Sequence, residues 1–219
     1  MGGESSAGDR LQVGGMTTRY RWFRICVRFL FRVFTGFSVY GAERVPKQGP
    51  LIVASNHTQY LDPVYVSAAV PRRVQWMAKK ELFVFPFRWL FTLLRAYPVD
   101  RQKGGRAALR SSICLLEDGG VMGIFPEGTH RQGEGSRDAK SGVVVLGARS
   151  SAPVLPVYIS TAPSIRRRLL RGDRMYACIG KPISIDGDLR GGKAYREVAD
   201  GILTEIYALP KEYGLMEKS

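Results

Sequence analysis

The run Leu51-Ile52-Val53-Ala54 follows Gly49–Pro50 and delivers the chain to Asn56 and His57, with Asp62 five residues beyond the histidine. Short, branched, apolar and preceded by turn formers, it reads as a buried strand. Open α/β sheets gather their ligands and chemistry at the carboxyl ends of such strands. His57 stands at one of these ends.

The rest of the chain repeats the pattern. Residues 64–70 read as a helix with Pro63 in its first turn, and 74–78 as the next strand, ending at Lys79 and Lys80. Further strands are predicted at 97–100, 121–125, 152–160, 176–179 and 182–185, and helices at 106–117, 141–151 and 194–209. Gly119–Gly120 closes the first of those helices, and residues 132–138 form a polar loop. Strands alternating with helices specify the α/β class, a single domain with a mixed, mostly parallel sheet flanked by helices. At 219 residues and 45% hydrophobic, the chain has enough apolar material for one core.

Residues 1–18 are rich in Gly and Ser and read as a disordered tail. Gly2 and Ser6 formally fit an N-myristoylation pattern, and Met16 is an alternative start. Residues 19–40 carry a sharper signal. Arg21, Arg24, Arg28 and Arg32 fall on one narrow helical face at about 100° per residue, and Trp22, Phe23, Ile25, Cys26, Phe29, Leu30, Val33 and Phe34 cover most of the rest. The arginines interrupt every apolar run, which excludes a membrane-spanning helix and makes a poor signal peptide. An interfacial helix, with aromatics at the acyl boundary and arginines at lipid phosphates, accounts for the pattern. The alternative is a core helix with snorkelling arginines. Residues 82–94 form a second apolar stretch, broken by Pro86 and too short to span a bilayer. It reads as a buried core helix or a segment dipping into the membrane, and the first helix favours the latter. The globular domain is expected over 41–209, followed by a tail at 210–219.

Thirty-three basic against 19 acidic residues give a net charge of +14, which attracts polyanions. Nucleic acid, an anionic membrane surface and phosphorylated substrates all qualify, but no nucleic-acid motif accompanies the charge, so no nucleic-acid partner is expected. Cys26, Cys114 and Cys178 are odd in number and lack ligand spacing, which argues for a reducing compartment and against zinc or a disulfide framework.

The chain has two histidines. A histidine near a carboxylate can act as a general base, the aspartate fixing its tautomer and stabilising the imidazolium. His57 and Asp62 are the candidate pair. No serine or cysteine sits in a nucleophile setting such as G-x-S-x-G, so the nucleophile is a hydroxyl brought by the substrate. A turn histidine beside a helix-capping aspartate is the non-catalytic reading of the same residues.

A second block, Ile124-Phe125-Pro126-Glu127-Gly128-Thr129-His130-Arg131, again runs from an apolar strand into a polar turn. Together with Asn56-His57 and Asp62 it resembles the NHxxxxD and FPEGTR blocks of the glycerolipid acyltransferases, the lysophosphatidate acyltransferase type. Ala96-Tyr97-Pro98-Val99-Asp100-Arg101, Lys140-Ser141-Gly142 and Val154-Leu155-Pro156-Val157-Tyr158-Ile159 are similar to further blocks of that family, and the resemblance covers residues 40–185.

The resemblance implies an enzyme that moves an acyl group from acyl-CoA or acyl carrier protein to the free hydroxyl of lysophosphatidate, with no bound cofactor and no metal. It implies His57 and Asp62 as catalytic residues. Substrate-binding residues are expected at Asn56, Lys79, Arg101, Glu127, Gly128, Thr129, His130, Arg131 and Lys140. Lys79 or turn N–H groups would stabilise an oxyanion, and Arg101 with the basic residue of the turn would grip phosphate. His130 stands where the family block has arginine, so either Arg131 or His130 takes the phosphate role. The implied location is monotopic, on an anionic membrane surface at the cytoplasmic face. Two other readings remain: acylation of another lysolipid or lipid alcohol, and a non-catalytic basic membrane-binding domain.

Overall fold

The computed structural model describes residues 18–79, 97–99, 105–128, 139–162, 170 and 172–215. Seven strands, β1 (Ser38–Tyr40), β2 (Leu51–Ser55), β3 (Val74–Lys79), β4 (Tyr97–Val99), β5 (Val121–Ile124), β6 (Val154–Ile159) and β7 (Tyr176–Ile179), form one sheet in the order β1-β7-β6-β2-β5-β3-β4. Every pairing is parallel except β6 with β7. The predicted mixed, mostly parallel α/β sheet is therefore what the chain forms. Residues 182–185 contribute only an isolated bridge, Val154 with Ile183.

The helices described are α1 (Thr18–Thr35), α2 (Asp62–Ala69), α3 (Gly105–Glu117), α4 (Gly142–Ser150) and α5 (Gly192–Glu212), with a 3-10 turn at Ala42–Arg44. They cover both faces of the sheet. On one face Leu51 and Val53 pack with Val64, Val66 and Tyr65 of α2 and with Phe23, Val27 and Phe31 of α1. On the other, Ile52, Ala54 and Met122 meet Leu115 and Leu116 of α3, Val143 and Val144 of α4, and Ile202 and Ile206 of α5. Burial on both faces is why the strands read as continuous apolar runs.

Two boundaries differ from the sequence reading, at the first helix and the last, while the close of α3 falls where the sequence put it. The first helix stops at Thr35, and residues 38–40 form β1 beside β7. Gly36, at φ +67, ends that helix in the left-handed conformation, its N–H bonded to the Arg32 carbonyl. The last helix runs to Glu212, so residues 210–212 belong to the domain. α3 closes at Gly119 (φ +78) and Gly120, whose N–H groups reach the carbonyls of Leu116 and Leu115. Residues 1–17, the apolar stretch 82–94 and most of 164–171 lie outside the described residues.

One side of α1 docks on the domain and another stays exposed. Tyr20, Phe23, Val27 and Phe31, three or four apart, dock on the domain, Tyr20 fully buried and the Phe31 ring tilted against that of Tyr65 with centroids 4.1 Å apart. Trp22, Ile25, Phe29, Leu30, Val33 and Phe34 remain exposed, Trp22 and Phe29 at 64% each. Among the described residues no helix is long and apolar enough to cross a membrane. Cys26 and Cys114 are exposed free thiols, while burial pushes the Cys178 thiol up to about 12.

Asn56 extends the β2–β6 ladder past the end of β2. Its side-chain Nδ2 donates to the Ile159 carbonyl and its Oδ1 accepts the Ile159 N–H, each at 2.8 Å, and the residue is 1% exposed. The amide expected to touch substrate instead clips two strand ends together and fixes where His57 leaves the sheet. Asn56→Ala leaves two buried backbone groups without partners and should cost about 2–4 kcal/mol. In a domain of this size that is a drop in melting temperature on the order of 5–12 °C. Thermal unfolding checks it; an unchanged melting temperature with a raised substrate KM would restore the substrate-contact role.

Candidate active site

The polypeptide turns sharply after β2, and one carboxylate oxygen organises that turn. Asp62 Oδ2 accepts the backbone N–H groups of Thr58 and Gln59, each at 2.7 Å, and lies 3.1 Å from His57 Nδ1. Asp62 is almost wholly buried, whereas the His57 side chain keeps 13% of its surface exposed. The helix-capping alternative for Asp62 does not hold. Leu61 is the N-cap of α2, no side chain caps that end, and the Asp62 carboxylate points back into the turn. Its other oxygen, Oδ1, is buried with no hydrogen-bond partner among the described residues.

This geometry selects a tautomer. A carboxylate only accepts hydrogen bonds, so the Nδ1···Oδ2 contact puts the imidazole proton on Nδ1 and leaves the lone pair on Nε2. An imidazole so held can take a proton through Nε2, and the buried carboxylate stabilises the imidazolium that forms.

Beside His57 stands the turn that follows β5. Phe125 to Gly128 is closed by the Gly128 N–H on the Phe125 carbonyl at 3.0 Å. Pro126 occupies the second position of the turn, and Gly128 its last, at φ +80. A Cβ on Gly128 would run into the Lys140 side chain, which lies across it, and the Lys140 N–H returns to the Pro126 carbonyl at 2.8 Å. The loop between Gly128 and Lys140 thus leaves and re-enters at the same turn. Phe125 stacks on the His57 imidazole, with centroids 3.9 Å apart and planes 11° from parallel. Glu127 Oε1 accepts the hydroxyl of Tyr207 from α5 at 2.6 Å.

Of the predicted site residues, the fold brings His57, Asp62, Glu127, Gly128 and Lys140 to the carboxyl ends of the adjacent strands β2 and β5. Asn56 is present there as the strand clip. Lys79 is the last residue of β3, in register with Val99 of β4. Arg101, Thr129, His130 and Arg131 lie outside the described residues. Tyr207 escaped the sequence reading because it is one aromatic on an amphipathic helix, 80 residues from its partner. Among the described residues no cluster of His, Cys, Asp and Glu could hold a metal ion.

Comparison with known proteins agrees with this layout. The Acyltransferase family model matches residues 36–160, from the end of α1 to the end of β6. The chain is 29% identical over 170 residues to 1-acyl-sn-glycerol-3-phosphate acyltransferase of Bacillus subtilis (strain 168), covering 75% of this chain and 82% of that protein. It is 29% identical over 200 residues to the enzyme of the same name from Streptococcus pneumoniae, covering 88% and 74%. The crystal structure of the 1-acyl-sn-glycerophosphate (LPA) acyltransferase PlsC from Thermotoga maritima superposes with a TM-score of 0.64 at 20% identity, over 88% of this chain and 81% of that one, which is a likeness of fold. With the matched region spanning more than half of its length and enclosing both His57–Asp62 and the Phe125–Gly128 turn, the chain belongs to the Acyltransferase family.

Proposed function

We propose that this acyltransferase moves a fatty acyl group from a thioester, acyl-CoA or acyl carrier protein, to the free glycerol hydroxyl of lysophosphatidate, yielding phosphatidate for phospholipid synthesis. The observation that carries the reading is the His57 imidazole, held through Nδ1 by buried Asp62 beside the Phe125–Gly128 turn. The names of the relatives support the choice of acceptor.

In this reading His57 Nε2 removes the acceptor hydroxyl proton as that oxygen attacks the thioester carbonyl carbon. The carbonyl oxygen gathers negative charge, for which Lys79 and N–H groups of the turns are the candidate partners. Collapse expels the thiolate, and the proton held by His57 passes to it. The acyl group goes directly to the acceptor, so no acyl-enzyme forms. Arg101, with Arg131 or His130, would take the acceptor phosphate, and Glu127, already oriented by Tyr207, would receive a glycerol hydroxyl. Thr129 follows that turn in sequence, and the Lys140 side chain lies across its Gly128.

The enzyme would work at a membrane, reached through α1 as a monotopic attachment on the cytoplasmic face. The exposed apolar face of α1, led by Trp22 and Phe29, supports an interfacial role, and Arg21, Arg28 and Arg32 are exposed along its edge. Burial, then the charges of Arg28 and Arg21, holds Arg24 below the ordinary arginine range, so these guanidiniums crowd one another, as suits a counter-anion from lipid phosphate.

Two outcomes test the proposal. His57→Ala should lower acyl transfer to lysophosphatidate by about 10² to 10⁴-fold while the protein stays folded, and Asp62→Asn should be impaired nearly as much. Wild-type protein should prefer lysophosphatidate over lysolipids with zwitterionic headgroups. Undiminished transfer by folded His57→Ala contradicts the mechanism, and a preference for a zwitterionic acceptor contradicts the substrate. For the membrane, Gln at Arg21, Arg24, Arg28 and Arg32 removes about 1 kcal/mol of attraction per arginine near an anionic surface. Flotation should show the quadruple variant lost from anionic vesicles; equal flotation with the wild type would assign the arginines another role.

A further inference from the structure

Two adjacent strands beyond β2 carry an arrangement that the reaction scheme does not yet use. Trp76 of β3 stacks on Phe125 with centroids 4.8 Å apart and planes at 19°, and Phe125 stacks in turn on His57 at 3.9 Å and 11°. Two rings this close to Phe125 and this nearly parallel to it cannot share one of its faces, so Phe125 lies between them. The sheet makes the stack possible. Trp76 is directly opposite Gly123 in the β3–β5 ladder, and a Cβ on Gly123 would collide with the six-membered ring of the indole. Without that Cβ the indole lies flat along β5 toward Phe125, two residues further on the same face.

The far end of the stack is fixed as well. The indole Nε1–H donates to Ser67 Oγ of α2 at 3.0 Å, and Ser67 donates to the Pro63 carbonyl at 2.6 Å. Nearby, the Arg73 guanidinium covers the ring of Tyr20 of α1 at 5.0 Å. Trp76 is 4% exposed and Tyr20 1%, so this end of the stack is packed in the core. Pro63 follows Asp62 directly, so both supports of the imidazole, the carboxylate at its edge and the ring stack on its face, close on the first turn of α2.

We infer that Trp76 is a positioning residue for His57, acting through Phe125. Asp62 holds one edge atom of the imidazole, and a hydrogen bond at a ring edge does not by itself set the tilt of the ring plane. A flat aromatic surface against the ring face sets that tilt, and the indole keeps Phe125 from yielding. The role assigned to Trp76 rests on His57 being the base. The expected signature is a loss in kcat at nearly constant KM, since the brace lies behind the imidazole and not where the acceptor binds.

The test compares Trp76→Leu with Trp76→Phe in full-length protein on lysophosphatidate-containing vesicles. Because a misplacement of about 1 Å can cost on the order of a hundredfold, the leucine variant should lose about ten- to a hundredfold in kcat with KM changed less than about twofold. The phenylalanine variant should recover part of the loss. The chain has two histidines, so His57 ring proton signals are assignable by NMR from His57→Ala and His130→Ala. Lying over Phe125, they should be shifted upfield in the wild type and move downfield in Trp76→Leu. If Trp76→Leu does not fold, Ser67→Ala leaves every ring in place, removes the indole's acceptor, and should produce a smaller displacement of the same signals. Unmoved His57 signals in a folded variant would overturn the brace. Displaced signals with unchanged kcat would overturn the positioning role, provided His57→Ala is inactive. An active His57→Ala removes the base itself, a separate failure that this control identifies.

Discussion

One buried carboxylate oxygen sets the local geometry on which the site depends. Asp62 Oδ2 draws together the N–H groups of Thr58 and Gln59 and the Nδ1 of His57. The two backbone bonds hold the turn in the shape that brings the imidazole back over the carboxylate, and the third contact fixes the ring. Removing the carboxylate therefore affects both the path of the turn and the tautomer. Asp62 can be held so firmly because it begins α2, whose buried residues Val64, Tyr65 and Val66 pack against the sheet. The active geometry thus derives its rigidity from the core, the arrangement that places functional groups most reliably.

The sheet supplies the second half of the site by putting β5 next to β2. Both strands run parallel, so the turn after β5 opens at the same edge as the turn after β2. Phe125 then meets His57 face to face, and Glu127 is presented toward α5, where Tyr207 holds it. Between the two motifs the chain passes through α2, β3, β4 and α3 before it returns beside β2 as β5. α1, docked on α2 through Tyr20, Phe23, Val27 and Phe31, ties the exposed aromatic face of the molecule to the helix that carries Asp62.

Much of this was legible in the sequence because the physical signals were local. Buried parallel strands appear as short branched runs, and the runs read at 51–54, 121–125 and 176–179 mark β2, β5 and β7 to within one residue. The pair His57 and Asp62 was visible as spacing, and Gly128 as a position that tolerates φ +80. β1 was not legible, since its residues continue an aromatic-rich helix and only Gly36, a left-handed helix terminator, separates them. Asn56 read as a substrate contact because its place in the motif says nothing of a backbone partner 103 residues away. The same holds for Trp76 and Tyr207: a stack that needs Gly123 as its opposite number exists only once strand order is known. Tertiary context assigns such residues their work, and local pattern is silent on it.

The central claim is that Asp62 keeps the His57 proton on Nδ1 and reserves Nε2 for the acceptor hydroxyl. Nitrogen-15 NMR of histidine-labelled protein at neutral pH measures this directly, because protonated and unprotonated imidazole nitrogens resonate far apart. With His130 replaced, so that His57 alone reports, the account predicts a protonated Nδ1 and a lone-pair Nε2, with the preference lost in Asp62→Asn. A proton found on Nε2 in the wild type, or a tautomer unaffected by Asp62→Asn, would contradict it.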